Sequence, residues 1–264
     1  VAGFTNLDFH YDDDENSLLF SVNDSGGNAC LLVTTAEYRD PSAWYHIVIA
    51  YDSTQGVAAN RVKIYVNGTQ ETSFSSTSYP AEDGILKMLG SSTVEAIARD
   101  GGDDSYNFNG CLSHVHRIDG IAYSASDFGE TDATSGIWKI KTSPSVTYGT
   151  NGYFLKFEDS SNMDLDSSSN GHSFTTSGDL TATKDNPSNN FATMNPLVYG
   201  TSHTYTDGNT TVTNSGATWE QTISTLGTSA GKFYWETKWI SGAWTVVGVD
   251  NITVSSTTIG YTST

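Results

Sequence analysis

Cysteine, methionine, proline and basic residues are all scarce in this 264-residue chain, with two, three, five and twelve of them respectively. Cys30 and Cys111 are too few to staple a chain of this length, so the fold must rest on burial; one bridge between them is allowed but not required. Twelve Lys and Arg stand against thirty Asp and Glu, a formal net charge of −18. A surface of that sign repels phosphate backbones and anionic lipid headgroups, which argues against nucleic-acid and membrane partners. The plainest role of the acidity is solubility and resistance to self-association, with divalent-cation binding second. No run of about 18 apolar residues is present to cross a membrane as a helix, and no signal-peptide pattern is visible. The chain opens at Val1 and closes at Thr264 in strand-like sequence, so it is expected to be an excerpt of a longer polypeptide.

Helical periodicity is missing too. No stretch keeps a 3.6-residue period over three turns, and the best short candidate is a single turn at 124–128, capped by Ser124 or Ser126. Aromatics, by contrast, make up 12% of the chain against 16% charged residues, the reverse of a disordered composition. The period-2 signal recurs. In 43–51, Trp44, His46, Val48 and Ala50 share one face and Tyr45, Ile47, Ile49 and Tyr51 the other, which predicts a central strand covered on both sides. In 61–66, Val62, Ile64 and Val66 point inward while Arg61, Lys63 and Tyr65 point outward. Asn67-Gly68 then supplies the two positive φ angles of a type I′ turn into 69–74. Further strands are expected at 4–11, 17–22, 30–34, 84–90, 108–118 and 153–157, with loops at 12–16, 101–104 and 159–171. Short strands at this spacing predict an all-β, antiparallel two-sheet β-sandwich.

Composition shifts after Leu197. Residues 198–217 are dominated by Thr, Ser, Asn and Gly and read as a linker or exposed hairpin. Strands are expected again at 218–223, 232–239 and 244–249, with Trp239 and Trp244 as core. This 218–264 tail is too short to build its own core and reads as the beginning of a second, partial β-sandwich.

Specific residues then carry a resemblance. Trp44, His46, the Tyr51-Asp52 strand end and the Tyr65-Val66-Asn67-Gly68 strand end are similar to the middle hairpin of laminin G-like and pentraxin-like domains. Phe108-Asn109-Gly110 with CLSHVHRIDG resembles the last core strand of that family, and 155–174 resembles its opening strand in a permuted position. The blocks IDGIAYSASDFGETDATSGIWKIK, YGTNGYFLKFEDSS and DNPSNNFATMNPL resemble, in that order, a segment of bacteriophage tail-fibre and virion fibre proteins. GKFYWETKWISGAWTVVGVD, at 231–250, resembles the start of a SPRY-type sandwich. Departures from these patterns are Ser113-His114, Arg117 and the loop 94–104, and the first strand of the family is missing. The resemblance implies a concanavalin A-like jelly roll over 1–197. It implies a structural, non-catalytic virion protein of a tail fibre, head fibre or capsid decoration, working in host-glycan attachment or particle stabilisation. Its partners would be other virion proteins and a host-surface glycan, with assembly as a homo-oligomer, a trimer for preference, on the particle surface. Such proteins fold in a reducing cytosol, which implies two buried thiols. The alternative is a secreted or surface adhesin of a bacterium, or a carbohydrate-binding module, outside the cell.

The chemistry of an enzyme is sparse. No nucleophile elbow and no phosphate-binding glycine loop occur. The nearest thing to a glycosidase carboxylate pair is Asp164 and Asp166, in a Ser/Asn/Gly-rich turn. His114 and His116, two apart, would make half a metal site or a structural pair, and a bulge is expected between them. His46 is expected to be a hydrogen-bonded core histidine. Calcium would find oxygen ligands at Asp12, Asp13 and Asp14 beside Glu15, and at Asp103 and Asp104 beside Asp100, although neither cluster has an EF-hand spacing. Trp138, Tyr148 and Tyr153 lie near loops and are the candidate sugar-stacking rings. The Asn-x-Ser/Thr triplets at Asn23, Asn67, Asn209 and Asn251 are read as accidents of a Ser/Thr-rich composition.

Overall fold

A computed structural model of the chain describes residues 4–12, 15–24, 27–40, 43–84, 96–98, 108, 110–178, 180–188, 192–196, 202–216, 220–227, 230–242 and 245–249; side chains are described throughout these except at 4–12, 15–16, 23–24 and 27–28. The fold is all-β, with one helical turn and one 3-10 turn among the described residues. It divides into two compact units, 1–190 and 191–264.

In the first unit, β1 (Phe4–Asp12), β2 (Glu15–Asp24) and β3 (Gly27–Glu37) form an antiparallel meander with β7 (Phe74–Ser78) beside β3. Between β3 and β7 the chain builds a second sheet, β4 (Ile47–Tyr51), β5 (Val62–Val66) and β6 (Thr69–Gln70). The apolar sides of the two sheets meet. Leu18, Phe20 and Val22 of β2 and Cys30 and Leu32 of β3 share one core with Val62, Ile64 and Val66 of β5. Tyr45, Ile47, Ile49 and Tyr51 pack against that core from the β4 segment. This is the expected two-sheet sandwich, and the alternation along β5 is the expected one, Val62, Ile64 and Val66 being buried with Lys63 and Tyr65 between them. Burying each such side chain contributes about 1.5–3 kcal/mol.

The sheet needs local repairs, and side chains make them. A register shift between Ser17 and Leu19 interrupts the β2–β3 ladder. The hydroxyl of Thr34 accepts the Leu18 N–H at 3.0 Å and donates to the Ala36 carbonyl. Thr34 is therefore buried without leaving an orphan donor in the core.

Asn67 and Gly68 adopt φ of 48° and 81°, as a type I′ turn requires, and Val66 pairs with Thr69 across it. Gly68 serves a second purpose that the turn alone does not reveal. A Cβ placed there would lie 2.3 Å from the Trp138 ring, and one at Gly129 would lie 2.5 Å from the same ring. Trp138 belongs to β10 (Trp138–Ile140), which pairs with β9 (Gly129–Thr131) directly after α1 (Ala125–Phe128). The helical turn falls at the expected place; the Asp127 carboxylate accepts from the backbone N–H and the hydroxyl of Ser124. The β9–β10 hairpin has no period-2 signature in three-residue strands and was not legible in advance.

Several expected strands are shorter or divided. The stretch 69–74 splits because the chain leaves one sheet after Gln70 and enters the other at Phe74. The strand expected over 108–118 shrinks to β8 (Val115–Arg117), because His114 turns to φ 52°. β11 (Tyr153–Leu155) stops short of Phe157, which sits at φ 59°. β4 ends the order β4-β5-β6 among the described residues and is not central; the residues just before it are engaged by side chains from later in the chain, His46 by Trp138 and the Trp44 indole N–H by Asp185. Residues 85–90, most of the strand expected at 84–90, lie outside the described residues. Cys30 is buried, its thiol pushed up to about 12 by burial, but Cys111 is exposed, so the expected pair of buried thiols is not found.

In the second unit, β12 (His203–Thr206) and β13 (Thr211–Asn214) form a hairpin across Asp207, Gly208 and Asn209, all at positive φ. Of the two readings of 198–217, the hairpin is the one found. The strand expected at 232–239 is not found, and neither 220–223 of the strand expected at 218–223 nor 245–249 of the strand expected at 244–249 is strand; residues 218, 219 and 244, with the expected core residue Trp244, lie outside the described residues. Phe233, Tyr234, Trp235 and Trp239 are exposed, so Trp239 is not core here. A strand without a facing sheet cannot bury its aromatic side, and among the described residues no sheet faces 232–239.

Gly68→Ala is expected to destabilise the first unit by about 2–3 kcal/mol, combining left-handed backbone strain with the ring clash. In a Trp138→Ala background the same substitution should cost measurably less, and urea denaturation of the four proteins of that cycle checks the coupling.

Candidate functional site

β8 and β11 pair antiparallel, with Arg117 opposite Tyr153, His116 opposite Phe154 and Val115 opposite Leu155. Opposed residues project to the same face, so Arg117 and Tyr153 stand side by side. The following loop is held over them by a single carboxylate. Asp166 Oδ1 accepts the backbone N–H of Phe154 at 2.9 Å and of Ser168 at 2.8 Å; Oδ2 accepts the Ser168 hydroxyl and the His172 N–H, both at 2.9 Å. Burial pushes the Asp166 carboxyl up, but the bonds from Phe154, His172 and Ser168 outweigh it and hold it below the usual carboxylate range. Asn170 completes the lashing by donating Nδ2–H to the Gly149 and Gly152 carbonyls at 2.6 and 2.8 Å. Gly152 is obligatory there, since a Cβ would lie 2.0 Å from the Tyr148 carbonyl oxygen.

This arrangement leaves a shallow, open cavity of about 280 Å³ lined by Arg117, Asn151, Tyr153, His172, Ser173 and Phe174. Phe174 meets Tyr153 edge to face, with ring centroids 4.9 Å apart at 75°. Asn151 is oriented by Asp119, whose Oδ2 accepts both its backbone N–H and its Nδ2–H. His172 Nε2 sits 3.2 Å from the Thr150 carbonyl, which can only accept, so Nε2 is the donor of that contact.

The residues singled out from sequence fall in different places. Tyr153 lines the cavity but is only 5% exposed, so it is the cavity's inner wall and not an exposed stacking platform. Trp138 is not a platform either. Its ring is wedged against Gly68 and Gly129, and its Nε1–H donates to His46 Nδ1 at 3.0 Å. His46 is thus the hydrogen-bonded histidine that was expected, and burial pushes it down to about 4. Tyr148 is half-buried, its hydroxyl 3.0 Å from His116 Nδ1 and its ring stacked near His116 and Phe154. The three rings do not converge on one surface.

His114 and His116 do not form half a metal site. The left-handed backbone at His114 breaks the alternation, as the expected bulge would. Its Nδ1 lies 2.7 Å from the Ser113 hydroxyl, while His116 stacks on Phe154 at 3.9 Å. His116 is pushed down to about 3, mainly by burial and further by His114 and His46. Of the calcium candidates, Asp12 ends β1 and pairs in backbone register with Glu15, whereas Asp13, Asp14, Asp103 and Asp104 lie outside the described residues. Among the described residues no three His, Cys, Asp or Glu side chains converge to hold a metal ion. Asp166 is a structural carboxylate with its lone pairs committed to the loop, and Asp164 makes no pair with it in a strand.

Arg117, Asn151, His172, Ser173 and Phe174 escaped the sequence reading. Arg117 stood out there only as a departure from a family pattern. A lone phenylalanine in the polar stretch NGHSF was the other available signal.

A laminin G family model, described as the concanavalin A-like lectin/glucanases superfamily, matches residues 2–127, just under half of the chain. That segment carries the whole of the two-sheet core. No curated protein and no solved structure matches the chain. The first unit is therefore an antiparallel β-sandwich whose residues 2–127 are similar to the concanavalin A-like class. That superfamily holds both sugar-binding and sugar-cleaving proteins by its description.

His46 and His116 make stability depend on pH. Both fall below the ordinary histidine value of 6.5 on folding, so as pH drops the unfolded chain takes up protons first. Stability should be full above about pH 6.5 and decline as pH falls towards 4, by at most about 1.4 kcal/mol per histidine per pH unit. Urea midpoints measured from pH 7.5 to 4.5 check this, and His46→Gln should flatten the slope. Asp166→Ala, which removes the acceptor of four hydrogen bonds, should cost about 2–4 kcal/mol in the same assay.

Proposed function

We propose that this chain is a non-catalytic, glycan-binding part of a bacteriophage virion fibre or particle-decorating protein. The observation that carries the glycan part is the coincidence of the two-sheet core with a match to the concanavalin A-like lectin/glucanases superfamily over 2–127. Sandwiches of this kind hold their backbone rigid and leave side chains at the sheet margins to meet a polysaccharide.

Three features support binding over cleavage and a virion setting over others. The one carboxylate pair that invites comparison with a glycosidase, Asp164 and Asp166, has Asp166 engaged by Phe154, Ser168 and His172, which leaves it no role as acid or nucleophile. The net charge of −18 disfavours nucleic acid and suits repeated display on a particle without self-association. The ordered blocks between Ile118 and Leu197 resemble fibre segments of phage virions. In such a setting the chain works within a homo-oligomer, a trimer for preference, among other virion proteins.

Two measurements test this together. Purified protein on an array of bacterial envelope polysaccharides should retain at least one class of glycan and release no sugar from it. Gold-labelled antibody should decorate intact particles at a fibre or capsid surface. Sugar release abolished by Asp164→Asn or Asp166→Asn would replace the binding role with catalysis, and absence from particles would refute the virion role.

A further inference from the structure

We infer that residues 232–240 form an antiparallel strand pair with the same residues of a second copy of this chain, centred on Thr237. The pairing goes beyond the glycan-binding role and does not rest on it. Phe233, Tyr234, Trp235, Trp239 and Ile240 are 52–83% exposed. An aromatic side chain covers about 150–250 Å², so the four rings alone present on the order of 500 Å². That is as large as the biggest apolar patch on a typical monomer, roughly 300–600 Å². Doubled across two copies it reaches about 1,000 Å², where specific interfaces begin.

The backbone is open to a partner strand as well. Residues 232–240 carry no regular structure and all are exposed. Among the described residues none of them takes part in a backbone–backbone hydrogen bond. The Tyr234 hydroxyl donates to the Glu236 carboxylate, so side chains two apart stand on one side, as in an extended strand. One side then carries Phe233, Trp235 and Trp239, and the other Lys232, Tyr234, Glu236, Lys238 and Ile240.

Charge points to a second copy as the occupant. In a pair centred on Thr237, Glu236 of each copy stands opposite Lys238 of the other, Trp235 opposite Trp239 and Tyr234 opposite Ile240. Opposed charges and opposed rings stabilise a ladder, whereas like charges directly opposite destabilise it. Moving the centre by one residue destroys the match. Centred on Glu236, two carboxylates would face each other; centred on Lys238, two ammonium groups would. Elsewhere the acidity of a chain with net charge −18 keeps copies apart, but this segment holds two lysines and one glutamate. Neither Lys232 nor Lys238 has an ion pair among the described residues. The contact presents the same surface from both copies, so it closes at two chains. An interface near the lower size limit pairs weakly, in the micromolar range.

Sedimentation equilibrium of the whole 264-residue chain tests this. A reversible monomer–dimer step with micromolar dissociation is expected; where the chain also forms the trimer preferred above, the same step appears as trimer to hexamer. E236K and K238E should each weaken it tenfold or more by setting like charges opposite one another. An equimolar mixture of the two should associate within threefold of wild type, since each variant then meets its opposite. In a Cys111→Ser background, mild oxidation should cross-link Thr237→Cys between copies. Ser241→Cys should not cross-link, because its two copies would stand about 26 Å apart in this register. Should a charge variant fold poorly, the contrast between positions 237 and 241 decides. Association that is absent at about 100 µM or indifferent to both charge reversals, a mixture that fails to recover, or equal cross-linking at 237 and 241 overturns the inference. A chain that stays monomeric but binds phosphatidylcholine vesicles or envelope polysaccharide through Trp235 overturns it in favour of that partner.

Discussion

Leu18, Phe20, Val22, Cys30 and Leu32 on one sheet close against Val62, Ile64 and Val66 on the other, and the placement of the surrounding segments of the first unit follows from that contact. The register of β2, β3 and β5 has no freedom once their apolar sides must face each other, because a one-residue slip would turn each strand inside out. Even the irregularity between Ser17 and Leu19 is contained, since Thr34 takes up the N–H that the ladder abandons.

Onto the outer side of the second sheet the chain then lays its middle segment through one tryptophan. Trp138 seats against two glycines, Gly68 in the turn after β5 and Gly129 at the start of β9, and donates to His46 from the β4 segment. Three parts of the sequence more than 90 residues apart at the extremes are thereby joined by one ring. A histidine kept neutral by burial is the acceptor that makes this possible, which ties the packing of that face to acidity. The β8–β11 ladder is assembled by a comparable economy of parts. One buried carboxylate and one carboxamide organise a loop that has no regular structure, and the cavity beside them is a by-product of how firmly that loop is held.

Much of the sandwich was legible before any coordinates. The alternation in 61–66 and the Asn67-Gly68 pair were each sufficient for a local prediction, and the helical turn at 124–128 was visible from its capping serines. The aromatic rings were not legible. Trp138, Tyr148 and Tyr153 lie close to loops in sequence, which suggested a shared exposed surface; one is wedged against glycines, one is half-buried beside His116 and one is nearly inaccessible. Proximity to a loop says nothing about which way a ring points. The strand expected at 232–239 failed for a related reason, since alternation states only that a face wants covering, and among the described residues no sheet covers it.

The sequence by itself determined the all-β class, the strand pattern of the central hairpin and the acidic surface. Each follows from period, turn chemistry or charge, all of them local or additive properties. Only the tertiary structure decided that Arg117, Asn151, His172 and Phe174 line one cavity, that Asp166 is a structural anchor, and that Trp138 belongs to the packing. These outcomes depend on contacts between residues tens of positions apart, and such contacts are selected by shape complementarity across the fold, which no window of sequence contains.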